Sequence, residues 1–312
     1  MPLSAYRNLR YEVQAGRARI TLARPEKRNA LSLALLRELH EAVWEADDDR
    51  RVHALVLRGA GTAFCAGYDL TPDPAERATG QEGQGDSGDD AAPRRGLDTI
   101  GDDAWHLQRA QRLRMALFDA HKPVVAQVHG HCLAGGTDLA LLCDMVIAAD
   151  DAVFGFPPAR DLGVLPTQMW LYHVGPQWAK RLLLTGDTIT GAEAAQIGLA
   201  LKAVPPAQLE AEVEGLVDRL TRIDPELLAL NKRAVNLGLE LMGARTMQRI
   251  ATELDAVGHR TASARRFVER VRSEGLRAAV AERDAPFGDG RARVEGPELR
   301  DAQGRLREDA QD

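Results

Sequence analysis

Two apolar segments of this chain each end in a turn made of small residues. The first segment ends at Gly59 and continues as AGTAFCAGYDL, and the second, PVVAQVHG, continues as HCLAGGTDLALLCD. Either turn alone is typical of an ordinary tight connection. Two such turns that meet would bring closely approaching backbone and the unpaired N–H groups of a helix start to one point. That geometry stabilises an enolate or a tetrahedral oxyanion, so the pair predicts a site for this chemistry.

Strands and helices alternate around these two turns. Residues 12–22 predict two short strands, which are followed by an amphipathic helix that Ser32 caps and then by the strand VHALVLRG. A helix over 105–120, the strand PVVAQVHG, the helix DLALLCD and the strand MVIAA continue the order. The repeated strand–strand–helix order predicts an α/β fold, built as a coil of similar units over residues 1–203.

The remaining sequence predicts helices and two irregular segments. Past residue 203 the spacing of apolar residues predicts an all-helical region over 204–285. Residues 286–312 are charged and glycine-rich, which predicts a loosely ordered tail. Residues 71–103 are rich in Gly, Asp and Pro and predict a flexible insertion. The predicted C-terminal helices run over 207–222, 225–238, 245–258 and 262–283.

Composition narrows the class of protein. A net charge of −6 and an isoelectric point near 5.8 argue against broad affinity for nucleic acid. Cys65, Cys132 and Cys143 show neither CxxC pairing nor metal-ligand spacing, and their odd number favours a reducing, cytoplasmic location. No segment approaches the roughly 20 apolar residues of a membrane span, and no signal peptide pattern opens the sequence. A soluble enzyme with no membrane association is expected.

Four blocks of the sequence, in this order, resemble the crotonase superfamily of enoyl-CoA hydratases and isomerases. They are RPEKRNAL, AFCAGYDL, KPVVAQVHGHCLAGGTDLALLCDMVIAADDAVFGFP and LLLTGDTITGAEAAQIGLALKAVP. The resemblance covers about residues 5–203 and extends more loosely to 283. It implies a crotonase-like spiral of ββα units with a helical C-terminal trimerisation region, commonly in a dimer of trimers. It also implies an acyl-CoA thioester as substrate, with coenzyme A as part of that substrate and no metal or redox cofactor.

The same resemblance assigns residues to the site. The two amides of the oxyanion hole would belong to Ala66 and Gly135. Lys27 and Arg28 would lie near the phosphates of CoA, although the side chains of a solvated loop would look the same in the sequence. Asp69 either caps the next turn or contacts the ligand. The implied CoA-binding residues are Lys27, Arg28, Ala30, Ala66, Gly67, Tyr68, Asp69, Leu70 and Leu133.

The acidic residues depart from the hydratase pattern. Hydratases of this family have one acid in the helix after the second turn and one in the FG-x-PE turn. Here the first position carries Asp138, three residues after Gly135, and the second carries Pro158. Asp138 is expected to transfer a proton or direct water, with a pKa lowered by the helix start unless burial dominates. Asp161 is a candidate replacement for the missing acid, or else a surface partner of Arg160.

The leading expectation is a hydro-lyase that adds water reversibly to a 2-enoyl-CoA. Because one acid suffices to move a proton between two carbons of an enolate, a double-bond isomerase is the nearest alternative, followed by a CoA-ester or carbon–carbon hydrolase. A non-catalytic acyl-CoA-binding protein is the alternative from another class. A scaffold that uses residues 71–103 to recruit a partner is a further one.

Overall fold

The structure, a computed structural model, describes residues 6–70 and 99–294. The strands within these residues are β1 (Leu9–Gln14), β2 (Arg17–Leu22), β3 (Ala54–Gly59), β4 (Ala63–Cys65), β5 (Val124–Val128), β6 (His131–Leu133), β7 (Met145–Ala149), β8 (Val153–Gly155), β9 (Thr188–Thr190) and β10 (Lys202–Val204). The helices are α1 (Leu33–Asp48), α2 (Ile100–Arg114), α3 (Ala116–Asp119), α4 (Gly135–Leu142), α5 (Trp170–Thr185), α6 (Gly191–Gln196), α7 (Leu209–Leu220), α8 (Pro225–Leu241), α9 (Ala244–Gly258), α10 (Ala262–Glu274) and α11 (Leu276–Asp284).

The strands of the described residues form two sheets. One has the order β1-β2-β3-β5-β7-β10, and the other has the order β4-β6-β8-β9. Along the chain, β3, β5 and β7 enter the first sheet as parallel neighbours, and β4, β6 and β8 enter the second in the same way. Three successive strand pairs, β3–β4, β5–β6 and β7–β8, therefore each add one strand to each sheet. The predicted α/β coil of strand–strand–helix units is confirmed.

The central strands of the first sheet form part of the core, and their side chains are buried on both faces of the sheet. Leu55, Val56 and Leu57 of β3 are fully buried, which is typical of a parallel strand covered by helices. Helix α1 begins where predicted, since the Ser32 hydroxyl accepts a hydrogen bond from the Leu35 N–H at 3.2 Å. Its apolar stripe, which includes Leu39, packs into the same core.

Three predicted boundaries were wrong. Helix α2 begins at Ile100, after a cap in which Thr99 Oγ1 accepts from the Asp102 N–H, so the irregular segment does not extend to 103. Residues 71–98 of that predicted insertion lie outside the described residues. Helix α4 begins at Gly135, three residues before the DLALLCD run. The single helix expected over 262–283 is two helices, because Gly275 takes a left-handed φ of 88° between them.

The start of the predicted tail is also ordered. The Thr188 N–H donates to the Gly290 carbonyl at 2.8 Å, and the Ala292 N–H donates to the Thr188 carbonyl at 2.9 Å. Arg291 forms an ion pair with Glu193 at 3.1 Å, and Ala292 is buried. Residues up to 294 therefore extend the second sheet beside β9, whereas 295–312 lie outside the described residues. No helix in the described parts of the chain is both long and apolar enough to cross a membrane.

Candidate active site

The two turns of small residues converge, as the sequence predicts. Strands β4 and β6 are parallel neighbours, with Cys65 paired to Cys132, so their following turns leave the same edge of the second sheet. A Cβ atom on Gly67 would lie 3.1 Å from the Leu133 carbonyl oxygen, and a Cβ on Gly136 would lie 2.3 Å from the Cys65 carbonyl oxygen. The turns therefore meet through their backbones, at a distance that only glycine permits.

Gly135 supplies an N–H group suited to an oxyanion hole. It is the first residue of helix α4, where N–H groups have no acceptor within the helix. The short helix is buried along its whole length, which fixes the direction of this donor. The placement agrees with the role predicted for Gly135.

The partner predicted for Gly135 requires a correction. The Ala66 N–H donates to the Arg28 carbonyl at 3.0 Å, so it is not free for a ligand. Leu31 forms hydrogen bonds with both neighbours of Tyr68 in the chain. The Leu31 N–H donates to the Gly67 carbonyl, and the Asp69 N–H donates to the Leu31 carbonyl. Strand-like alternation therefore turns the Tyr68 N–H away from Leu31, and it has no acceptor within the described residues. Tyr68, and not Ala66, offers the second free amide.

A buried asparagine, Asn29, holds in place the segment 60–68, which ends at the Tyr68 amide. Asn29 takes a left-handed φ of 57° and is fully buried. Its side-chain amide donates to the carbonyls of Ala60 and Ala63 at 2.9 and 2.8 Å, and its Oδ1 accepts from the Arg24 N–H at 3.0 Å. Asparagine tolerates this backbone conformation better than most residues do, and its side chain can form all three hydrogen bonds. Asparagine is therefore well suited to position 29.

We expect Asn29→Ala to lower the free energy of unfolding by about 2–4 kcal/mol, because three buried backbone groups lose their partners. Chemical denaturation of the purified variant measures this change. Asn231→Ala is the matched control, since Asn231 lies on the exposed side of α8 and its side-chain amide donates to the Leu227 carbonyl within the same helix. Equal stability of the two variants would contradict the role of Asn29.

Ion pairs hold the same loop from its other side. Asp69 Oδ2 accepts from Arg24 Nη2 at 2.8 Å and from Lys27 Nζ at 3.0 Å, and both the Asp69 and the Arg24 side chains are largely buried. Any capping by Asp69 of the following turn involves residues outside the described ranges. Lys27 is therefore partly engaged within the chain, while Arg28 is exposed to solvent. Contact of either cation with CoA stays a prediction.

The other predicted CoA-binding residues lie along the two turns. The Ala30 carbonyl accepts from Arg24 Nη1 at 2.6 Å. Leu70 is 39% exposed at the end of the first described segment. Leu133 ends strand β6, with its carbonyl facing Gly67. The structure thus gathers these positions around the converging turns, and their contacts with a ligand stay predictions.

Asp138 lies inside this site as a buried carboxylate. It is 1% exposed, and its Oδ2 accepts a hydrogen bond from the Tyr68 hydroxyl. Its Oδ1 accepts no hydrogen bond of standard geometry within the described residues, although Thr167 lies close to the carboxyl. Burial raises the pKa of Asp138 above its usual range, and the nearby Arg114 cation and Thr167 oppose that rise. The sequence suggested that the start of helix α4 would lower the pKa of Asp138 unless burial dominates. In the structure, the effect of burial is the larger one. A carboxylate in this state is suited to accept a proton.

The second acid position holds no acid. Pro158 lies in a 3₁₀ turn over Pro157–Arg160. Asp161 follows this turn and lines a cavity of about 410 Å³ with residues of α10 and α11, among them Phe267 and Arg283. Burial raises the pKa of Asp161 to about 6, with opposite effects from Arg283 and Asp284. Its use as a second acid stays a prediction.

The alternative role for Asp161 was wrong, because the pair with Arg160 does not form. Arg160 instead binds Asp187 and Asp284, at 2.9 and 2.8 Å.

The sequence predicted Tyr68 only as a CoA-binding residue, without its contact with Asp138. Sequence reasoning missed two further side chains that act on Asp138, which are Arg114 from the last turn of α2 and Asp255 from α9. Asp255 accepts from the Val164 N–H at 2.9 Å, and burial raises its pKa to about 6, opposed by His259 and reinforced by Asp138. These side chains come from distant parts of the chain, and no motif links them. Only the packing of α2 against α4, and of α9 against α2, brings them near Asp138.

The three cysteines of the chain are small buried residues. Cys65, Cys132 and Cys143 are unpaired and fully or almost fully buried. Burial raises the pKa of the Cys65 thiol to about 12 and raises the pKa values of the other two as well. Thiols in this state are poor nucleophiles, so the chemistry of the site belongs to its oxygen atoms and amides.

Known proteins are similar to this chain in sequence and in fold. The family model described as enoyl-CoA hydratase/isomerase matches residues 12–93 and 78–289. A probable enoyl-CoA hydratase of Rhizobium meliloti (strain 1021) is 34% identical over 290 residues, which are 91% of this chain and 98% of the relative. A crotonyl-CoA hydratase of Syntrophomonas wolfei is 33% identical over 288 residues, which are 91% of this chain and 98% of the relative.

The solved structures agree with these relatives. An enoyl-CoA hydratase from Mycobacterium smegmatis superposes with a TM-score of 0.81 at 39% identity, covering 91% of this chain and 95% of that one. An enoyl-CoA hydratase/isomerase from Xanthobacter autotrophicus Py2 superposes with a TM-score of 0.79 at 35% identity, covering 90% and 99%. The similarity therefore extends over nearly the whole length of each protein.

Proposed function

The chain belongs to the enoyl-CoA hydratase/isomerase family, and from this premise we propose that it adds water reversibly to the double bond of a 2-enoyl-CoA thioester. One observation carries the proposal. Two free backbone amides, of Gly135 and Tyr68, lie beside the buried carboxylate of Asp138, whose Oδ1 accepts no hydrogen bond of standard geometry from any residue that the structure describes. The amides suit a thioester oxygen, and the carboxylate suits a water molecule.

The reaction follows from these groups. The two N–H groups bind the thioester carbonyl oxygen and withdraw electrons from the conjugated β-carbon. Asp138 Oδ1 takes a proton from water as the water oxygen bonds to that carbon. The double-bond electron pair shifts towards the thioester, and the enolate oxygen carries the negative charge between the two amides. A proton delivered to the α-carbon then completes the 3-hydroxyacyl-CoA.

A spectrophotometric assay tests this function. Purified protein is mixed with 2-enoyl-CoA esters of increasing chain length, and hydration is followed as the loss of absorbance of the conjugated thioester. We expect turnover of at least one member of the series, with the 3-hydroxyacyl-CoA identified by mass. A complete absence of water addition across the series would refute the proposal.

Pro158 supports one second candidate, an enoyl-CoA isomerase. Moving a double bond needs one base that shuttles a proton between two carbons, and no second acid for water. The same enoyl-CoA series in D₂O separates the two functions. Deuterium uptake with a shifted double bond and no added oxygen would favour the isomerase.

We propose that the protein self-associates through its C-terminal helices, as a trimer or a dimer of trimers. Helix α8 supports this because large apolar side chains face solvent along it. Leu230 is 62% exposed, Val235 66% and Leu241 90% in the isolated chain. Analytical ultracentrifugation measures the oligomeric state, and a monomer would contradict the proposal.

We also propose a cytoplasmic location, which the three unpaired cysteines support.

A further inference from the structure

Tyr68 contributes to the candidate site twice, through its backbone and through its side chain. Its N–H is the free amide opposite Gly135, and its hydroxyl donates to Asp138 Oδ2. A Cβ atom on Gly135 would lie 3.0 Å from both Cε1 and Cζ of the ring. The hydroxyl end of the ring therefore lies over the start of helix α4, next to the two amides that would hold the thioester.

Arg114 places a positive charge against the same ring. Its guanidinium carbon lies 5.4 Å from the ring centroid, and the residue is 1% exposed. Nη2 donates to Gln111 Oε1 at 2.6 Å, and the buried Nε has no hydrogen-bond partner within residues 6–70 and 99–294. A buried cation whose N–H groups are not all paired is unfavourable unless other groups compensate it. Its place over the ring suits it to stabilise negative charge on the phenol oxygen.

The resting site keeps the phenol protonated. Burial raises the pKa of Tyr68 well above its usual range, Arg114 opposes that rise, and the carboxylates of Asp138 and Asp255 reinforce it. The carboxylate at Asp138 and the phenol at Tyr68 thus form a base and an acid in direct contact. This is the combination that hydration needs and that a carboxylic acid at position 158 would otherwise supply.

We propose that the Tyr68 phenol is the second catalytic residue of this enzyme and donates the proton that the α-carbon of the enolate receives. The inference rests on the proposed function. Asp138 takes a proton from water, which weakens its bond with the phenol and frees the phenol O–H. That O–H bond then breaks as the α-carbon–hydrogen bond forms, and a phenolate remains beside Arg114. The carboxyl proton of Asp138 passes to the phenolate and restores both groups, so that one water molecule is added in total.

Tyr68→Phe tests this role because it keeps the ring, the backbone amide and the contact with Arg114. The readout is exchange of the α-protons of a saturated thioester, butyryl-CoA, with D₂O, followed by nuclear magnetic resonance as a function of pH. Exchange requires proton transfer at the α-carbon and no water addition. Tyr11→Phe is the control, because Tyr11 on β1 loses the same hydroxyl away from the site. The hydration assay on the same proteins provides kcat and KM.

We expect Tyr68→Phe to lower both α-proton exchange and kcat by about 10²-fold with little change in KM, and Tyr11→Phe to match the parent. The bond from Tyr68 also lowers the pKa of Asp138, so its loss moves the acid limb of the rate profile to higher pH. A purely positioning role would move this limb and leave the plateau rate unchanged. A plateau within about twofold of the parent would therefore overturn the proposal.

The exchange assay also separates this inference from the proposed function. A parent that exchanges α-protons but hydrates no enoyl-CoA would refute the hydratase function, while the role of Tyr68 would still be decided by the exchange rates. A parent that does not exchange α-protons would overturn the role of Tyr68, since a group that protonates a carbon also deprotonates it in the reverse direction.

Discussion

Replacing Asp138 with asparagine is expected to lower kcat for enoyl-CoA hydration by about 10²–10⁴-fold and to leave KM nearly unchanged. Asparagine keeps an oxygen that accepts the hydrogen bond from the Tyr68 hydroxyl, but it cannot take a proton from water. The two amides and the rest of the substrate site stay in place, so binding persists. Steady-state kinetics on the preferred enoyl-CoA measures the effect.

The same variant is expected to be at least as stable as the parent at neutral pH. Because burial raises the pKa of Asp138, its ionised form disfavours the folded state, and that penalty grows as the pH rises through the folded pKa. The neutral amide removes the penalty. Loss of activity together with equal or higher stability would mark Asp138 as a residue kept for chemistry. Urea unfolding at two pH values measures the stability change.

Two further variants make the result specific to the site. Asp151→Asn changes an exposed turn residue between β7 and β8 and is expected to leave kcat unchanged. Asp161→Asn decides whether the carboxyl beyond the proline turn also takes part in the reaction. If Asp138→Asn hydrates enoyl-CoA at the parental rate, Asp138 is not the base, and another group must take the proton from water.

Gly136→Ala is expected to lower kcat by at least about 10²-fold, because it forces apart the two turns whose amides form the oxyanion hole. The added Cβ would lie 2.3 Å from the Cys65 carbonyl oxygen and 3.1 Å from the Cys65 carbonyl carbon. Both atoms belong to the backbone of a buried strand and cannot move without moving the turn that leads to Tyr68. Overpacking of this kind also lowers stability, by about 1–3 kcal/mol.

Gly215→Ala in helix α7 is the matched control. Its Cβ would meet no atom within 4 Å, and alanine favours a helix by about 0.5–1 kcal/mol over glycine. This variant is therefore expected to be slightly more stable and fully active. Kinetics and thermal unfolding of both variants provide the comparison. A Gly136→Ala protein with parental kcat would show that close contact of the turns is not required for the reaction.

Much of the fold could be predicted from the sequence because the signals for its strands and helices are local. The apolar run of β3, the cap at Ser32 and the helical spacing of 225–238 each depend on neighbouring residues, and each prediction was confirmed. Errors arose where a distant contact decides the outcome. Residues up to 294 are ordered because Thr188, about 100 positions earlier, offers them backbone hydrogen bonds.

In the candidate site, too, some features depend on neighbouring residues and others on contacts between distant ones. The small residues of the sequence located the two turns, and the resemblance to the crotonase superfamily assigned Gly135 and Asp138 to the site, where their roles stay predictions. Which amide faces Gly135 was decided by tertiary structure, since the Arg28 carbonyl occupies the Ala66 N–H and the pairing with Leu31 turns the Tyr68 N–H outward.

The surroundings of Asp138 were likewise fixed only by the folded chain. Tyr68, Arg114 and Asp255 come from a turn and two helices that are separated by tens to more than a hundred residues, and hydrogen bonding and charge act between them through space. The sequence thus determined the class of chemistry, through backbone geometry encoded by small residues. The tertiary structure decided how protons can move there, because burial, the packing of α2 against α4 and the packing of α9 against α2 set the charge and the partners of Asp138.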